Sequence, residues 1–173
     1  MSWEKFSSHR IARFFARGRL GAFRRRRSVV HKSDGAQRRS PGDDSMTELQ
    51  GLTILVVEDD EDTREVLKVM LEMCGARVLS AGSARDGLQA FTREHPQAIV
   101  SDIAMPGEDG YWLIGEVRRQ LGVPPEKVPA VAVTAFSGQH PRAAALAAGF
   151  QAHLAKPIDP DELCRTVAKL VHA

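Results

Sequence analysis

Cysteine is nearly absent from this chain: 173 residues hold two, Cys74 and Cys164. Neither sits in a CxxC pair or a Cys/His cluster, so a thiolate metal site and a dithiol redox motif both lack support, and the two read as buried thiols of a reducing cytosol. Long apolar runs are missing too. Nothing approaches the roughly 20 residues that a bilayer span needs, and charges interrupt the N-terminus where a secretory signal keeps an uncharged core. The expectation is a soluble, cytoplasmic protein. No GxGxxG or GxxxxGK[ST] loop follows the first apolar run, which removes the signature of a nucleotide cradle. No internal repeat is found.

What is present divides the chain in two. Residues 1–45 hold 12 Lys and Arg against 4 Asp and Glu, and residues 46–173 hold 12 against 18, so a formal net charge of +2 conceals a tail near +8 and a body near −6. The tail includes four consecutive arginines at 24–27, and its stretch 33–45 is rich in Ser, Gly and Asp. Such a segment buries too little apolar surface to offset its ordering entropy, so residues 1–45 are expected to be a disordered basic extension. Three readings of the extension stay open. Its arginines suit a weak contact with nucleic acid, Ile11, Phe14 and Phe15 among them suit an anionic membrane, and Met46 suits a true start behind a mis-called one. With 43% of all residues apolar, the remaining 46–173 make one compact domain, and nothing in its charge marks a nucleic-acid binder.

Within that domain short apolar runs at 54–57, 76–79, 98–100, 130–133 and 152–155 read as buried parallel strands. Helical stretches alternate with them. Val66, Leu67, Met70, Leu71 and Cys74 recur at helical spacing and stop at Gly75, a suitable C-terminal cap. Ser83 and Asp86 make a capping pair for a second helix, a third runs over 111–121, and Pro141 with Gly149 brackets a fourth. Asp159, Pro160 and Glu162 supply cap, first-turn proline and third-position acid for a fifth. The alternation predicts a doubly wound (βα)₅ α/β fold, a parallel sheet with helices on both faces and its crevice beyond the carboxyl ends of the strands.

The charged and hydroxylated residues fall at those ends. Glu58, Asp59 and Asp60 follow the first strand and Asp102 the third. Adjacent carboxylates repel, which raises their pKa values or destabilises the fold unless a cation intervenes, and Mg²⁺ with its taste for oxygen ligands answers that need. Asp60 alone reads better as a helix cap. Thr134 ends the fourth strand and Lys156 the fifth. A cation on one side, an ammonium and a hydroxyl on the other, and a carboxylate between them suit a phosphoryl group in transit, with Asp102 as nucleophile.

The motifs ILVVEDD, IVSDIAMPGEDGY, AVAVTAFS and HLAKPIDPDEL resemble, in order and spacing, the receiver domain of bacterial response regulators, over about residues 52–172. The resemblance implies a flavodoxin-like five-stranded sheet in order 2-1-3-4-5, with Asp102 as the phospho-acceptor and Glu58, Asp59, Asp102 and the backbone carbonyl of Ala104 holding Mg²⁺. It makes Thr134 and His153 the switch residues, Lys156 the phosphate-binding lysine, and the bond before Pro157 cis. A histidine at 153 replaces the usual switch aromatic. The donor it implies is a sensor histidine kinase or histidine phosphotransfer protein.

The expected function is therefore a stand-alone receiver rather than an enzyme, signalling to a protein partner, with homodimerisation left open. Two alternatives compete. A phosphohydrolase forming an aspartyl phosphate needs a second Asp two residues after the nucleophile, where Ala104 stands, and a nucleotide- or flavin-binding module on the same fold lacks its loop. Because neither Ala104 nor Phe136 can hydrogen-bond an attacking water through its side chain, a long-lived phosphoryl form is expected.

Overall fold

The computed structural model describes residues 48–135, 138 and 141–173. The basic extension and Phe136 lie outside the described residues. Five parallel strands, β1 (Thr53–Val57), β2 (Arg77–Ala81), β3 (Ala98–Asp102), β4 (Ala130–Thr134) and β5 (Ala152–Ala155), form one sheet in the order β2-β1-β3-β4-β5. The helices between them are α1 (Glu61–Met73), α2 (Ala84–Glu94), α3 (Gly110–Gly115), α4 (Arg142–Ala148) and α5 (Pro160–Val171). This is the doubly wound (βα)₅ sheet that the alternation of periods predicts, in the flavodoxin-like strand order that the resemblance implies.

Every residue of β3 and β4 is buried, whereas β2 and β5 at the edges are only half-covered. That is why the central runs are continuously apolar: each of their faces meets a helix layer. On one face Val56, Val100, Val131 and Val133 pack against Leu67 and Leu71 of α1 and Leu163 and Val167 of α5. On the other, Leu55, Ile99 and Ala132 pack against Phe91 of α2, Leu113 and Ile114 of α3 and Ala145 of α4. Each fully buried aliphatic side chain contributes about 1.5–3 kcal/mol, so the two layers clamp the sheet and fix where its strand tips lie.

The helix ends follow the sequence signals. Ser83 accepts from the amide of Asp86 at 3.1 Å, Asp159 from that of Glu162 at 2.9 Å, and Gly149 ends α4 in the left-handed region. The third helix departs from expectation. After Gly115 it widens into a π-helical segment, Glu116–Gln120, with the amide of Leu121 bonded to the carbonyl of Glu116. In the same segment the Arg118 guanidinium donates to the carbonyls of Gly149 and Val123 and to Gln151 Oε1, each at 3.2 Å, which ties the wide turn to the start of β5. A 3.6-residue pattern carries no sign of such a partner 31 residues away.

The two cysteines also correct the sequence reading. Both are buried, as expected, but they are joined: Cys74, capping α1, and Cys164, in α5, form a disulfide with a Cα–Cα distance of 6.4 Å. Motif spacing could not show this, because the two helices meet only once the sheet has been wound in both directions. No helix among the described residues is long and apolar enough to cross a membrane.

Candidate functional site

The carboxyl ends of β1 and β3, adjacent strands on opposite sides of the switch in strand order, bring two acids together. Asp102 is the last residue of β3, and Glu58 directly follows β1, held there by its amide bonded to the Ala81 carbonyl at 3.1 Å. Both side chains are buried, while the neighbouring Asp59 is exposed. Lys156, following β5, reaches back between them, and its Nζ lies 2.6 Å from Glu58 Oε2 and 2.9 Å from Asp102 Oδ2. The remaining Asp102 oxygen, Oδ1, accepts from the Ala104 amide at 3.2 Å. That places Ala104 in the loop beside the Asp102 carboxylate.

Electrostatics bear out the expected strain but rank its causes differently. The Glu58 carboxyl is pushed up to about 7, first by its burial, against the hydrogen bond and charge of Lys156 that pull it down, with the negative charge of Asp102 a lesser upward push. Carboxylate repulsion is thus the smaller cause and loss of water the larger. Burial pulls the Lys156 ammonium down, but its bonds to Glu58 and Asp102 outweigh this and leave it raised. Asp60 does what a capping residue does: it accepts from the amide and the hydroxyl of Thr63 at 2.8 and 2.6 Å, and those bonds hold its carboxyl low.

The remaining candidates fall around the same edge. Thr134 ends β4, wholly buried, and its carbonyl accepts from the Lys156 amide at 2.9 Å. The Lys156–Pro157 bond is cis, as the resemblance implies. His153 lies in β5 in register with Ala132 and is half-buried, with its Nε2 enclosed and without a hydrogen-bond partner.

One oxygen from each of Glu58, Asp59 and Asp102 lies within 4.8 Å of the others. This all-oxygen, net-negative donor set fits a small hard divalent cation such as Mg²⁺. Asp60, turned to its cap, is not among them.

Three contributors to the site escape sequence reasoning. Arg64 on α1 donates from Nη1 to the carbonyls of Glu58 and Asp59 at 2.7 and 3.2 Å, so it pins the backbone of the acidic loop. Arg85 of α2 pairs with Glu108 and lies 5.6 Å from the ring of Trp112, bracing the loop after Asp102. Gly110 opens α3, with its amide bonded to the Ile103 carbonyl at 3.0 Å. A Cβ there would lie inside the contact distance of the Asp102 carbonyl oxygen. An arginine or glycine at a helix start looks solvated or merely permissive in sequence; only the folded backbone gives it a target. We expect Gly110→Ala to lose about 1–3 kcal/mol in urea unfolding despite alanine's better helix propensity, because the clash is with backbone that cannot turn aside.

The molecule is thus an α/β protein whose doubly wound sheet carries a cage of acids and one ammonium at its switch point. The response regulator receiver domain family matches residues 54–168. The chain is 48% identical over 123 residues to the "Uncharacterized 14.6 kDa protein in sodA1 3'region" of Leptolyngbya boryana, which covers 70% of this chain and 92% of that one. It is 35% identical to the "Probable transcriptional regulator ycf27" of Porphyridium aerugineum over 66% of its own length and 46% of that protein's, so it spans about half of that relative. Among solved structures it resembles the receiver domain of the sensor histidine kinase PA1611 from Pseudomonas aeruginosa PAO1, which has a magnesium ion coordinated in its active-site cleft. The TM-score is 0.64 and the identity 32%, over 71% of this chain and 99% of that one. The chain belongs to the response regulator receiver domain family.

Proposed function

We propose that this receiver accepts a phosphoryl group on Asp102 from a phosphohistidine of a sensor histidine kinase or histidine phosphotransfer protein, switches conformation, and signals by protein contact. The observation that supports this most directly is the Lys156 ammonium bridging Glu58 and Asp102: a mobile cation already bonded to the nucleophile can pass to an incoming phosphoryl oxygen. In the transfer an Asp102 carboxylate oxygen forms a bond to phosphorus as the phosphorus–nitrogen bond to the histidine breaks, and the imidazole departs with the electron pair. The Ala104 amide holds the second Asp102 oxygen and so orients the attacking one. Mg²⁺ held by Glu58, Asp59, Asp102 and the Ala104 carbonyl would supply positive charge opposite the ammonium.

The added group brings about −1.5 to −2 charges to a buried place, and that is the driving force for switching. In this reading Thr134 moves toward the phosphoryl group, and His153 repacks behind it. A buried ring nitrogen without a partner costs about 1–3 kcal/mol, so any conformation that gives His153 Nε2 a partner is favoured by part of that. The surface formed by α4, β5 and α5 then meets the downstream protein or a second copy of the chain. The phosphoryl group ends on the protein's own side chain, so this is a signalling protein rather than a turnover enzyme, working in the cytoplasm where kinase domains present their phosphohistidines.

Acetyl phosphate with Mg²⁺ tests the reading. We expect the intact mass to rise by one phosphoryl group, the gain to be abolished by EDTA, and the modified peptide to contain Asp102. Continuous release of inorganic phosphate without a retained adduct would favour the phosphohydrolase, and no reaction at all would favour the nucleotide module.

A further inference from the structure

Cys74 and Cys164 are the only cysteines in the chain, and the fold joins them across 90 residues. Their Cα–Cα distance of 6.4 Å falls within the range a disulfide spans without backbone movement. The bond closes a loop that contains β2, α2, β3, α3, β4, α4 and β5, and it ties the end of α1 to the middle of α5, two helices on the same face of the sheet. The reduced form is accommodated at the same place. The Cys164 sulfur lies 3.5 Å from the Met70 carbonyl, which can accept from a thiol there, and both residues sit in an apolar cluster that suits a thiol as well as a disulfide.

We propose that Cys74 and Cys164 form a reversible two-electron redox site whose oxidant is a small hydroperoxide, and that oxidation staples α1 to α5. Access selects the oxidant and the order of events. Cys74 is 8% exposed and Cys164 1%, so Cys74 is the one that a small oxidant meets first, and a bulky disulfide is disfavoured at both. The Cys74 thiolate takes the terminal oxygen of the hydroperoxide, whose O–O bond breaks to release an alcohol or water, and becomes a sulfenic acid. The Cys164 sulfur then displaces that oxygen as water and forms the disulfide. Two thiols and one hydroperoxide give one disulfide, one alcohol or water molecule from the leaving group, and one water. A small dithiol reverses the change by exchange, becoming a cyclic disulfide itself. None of this depends on phosphorylation.

The test uses the full chain, reduced with dithiothreitol, freed of it, and titrated with hydrogen peroxide. We expect maleimide labelling under denaturing conditions to fall from two thiols to none. The unfolding equilibrium constant in urea should then be about a hundredfold or more smaller for the oxidised form, because the crosslink encloses most of the domain. Dithiothreitol should restore both values. With dimedone present, Cys164→Ala should trap a sulfenic acid at Cys74, and Cys74→Ala should trap none at Cys164. Two free thiols after peroxide, oxidation of Cys74 to a sulfinic acid without crosslinking, or equal urea midpoints for the two wild-type forms would overturn the proposal, whatever the variants do.

Discussion

Asp102→Asn is expected to take up no phosphoryl group from acetyl phosphate and Mg²⁺, while its urea midpoint in metal-free buffer stays close to that of the parent. The first half follows from chemistry: an amide oxygen is a poor nucleophile and leaves no stable phosphoryl adduct. The second half follows from the balance of charges in the cage. In the parent, Lys156 faces two carboxylates, Glu58 at 2.6 Å and Asp102 at 2.9 Å. Removing one of them leaves a single buried pair, and it removes the repulsion by which Asp102 raises the Glu58 carboxyl. The amide keeps the shape, one acceptor for Lys156 or for the Ala104 amide, and the packing under Gly110. Lost attraction to Lys156 and relieved repulsion oppose one another, so the net change lies within about 1 kcal/mol. Stoichiometric phosphoryl uptake by the variant would show that another residue is the acceptor.

The fold was legible because its signals are local. Runs such as 98–102 are apolar on both faces only in a strand covered twice, and Ser83, Asp159 and Gly149 end helices by contacts within a few residues of themselves. The candidate site was largely legible for a related reason: its residues end strands, and parallel strands end together. What failed to show is what depends on how the elements pack and not on spacing along the chain. The Arg64 bonds to the acidic loop, the close approach of Gly110 to the Asp102 carbonyl, the reach of Arg118 to Gln151 and the Cys74–Cys164 bond all join groups whose meeting is settled by packing. Charge reasoning had a similar limit. Repulsion among Glu58, Asp59 and Asp102 can be anticipated from their spacing, but the burial that outweighs it on Glu58 is a property of the layers above and below the sheet.

Lys156→Met is expected to lose about 3 kcal/mol or more of stability in metal-free buffer near pH 8, with a smaller loss near pH 5 and in saturating Mg²⁺. Methionine nearly keeps the length and the apolar stem of lysine, so the comparison isolates the charge. Without the ammonium, Glu58, 1% exposed, and Asp102, 6% exposed, face each other uncompensated. Breaking a buried pair by removing one partner costs about 3–5 kcal/mol for that reason. The pH dependence follows from Glu58. Its folded carboxyl, raised from 4.5 to about 7, binds a proton more tightly than the unfolded one. The parent's metal-free stability is therefore highest, as far as this group decides, below about pH 4.5, falls as pH rises to about 7, and levels off above, by at most about 3 kcal/mol. In the variant the two contributions of Lys156 that lower the Glu58 carboxyl are gone, so the folded form holds its proton to higher pH and the decline continues past 7. Near pH 5 Glu58 is already neutral when folded, less negative charge is left unpaired, and the substitution costs less. A divalent cation among the same carboxylates replaces the missing charge, so Mg²⁺ should restore much of the loss at pH 8. Phosphoryl uptake should stay depressed even then, since nothing meets the incoming oxygens from the Lys156 side. Urea unfolding of parent and variant near pH 5, 7 and 8, in EDTA and in Mg²⁺, measures all of this. A loss that is the same at every pH and indifferent to Mg²⁺ would mean that Lys156 stabilises the domain through its packing and not through its charge.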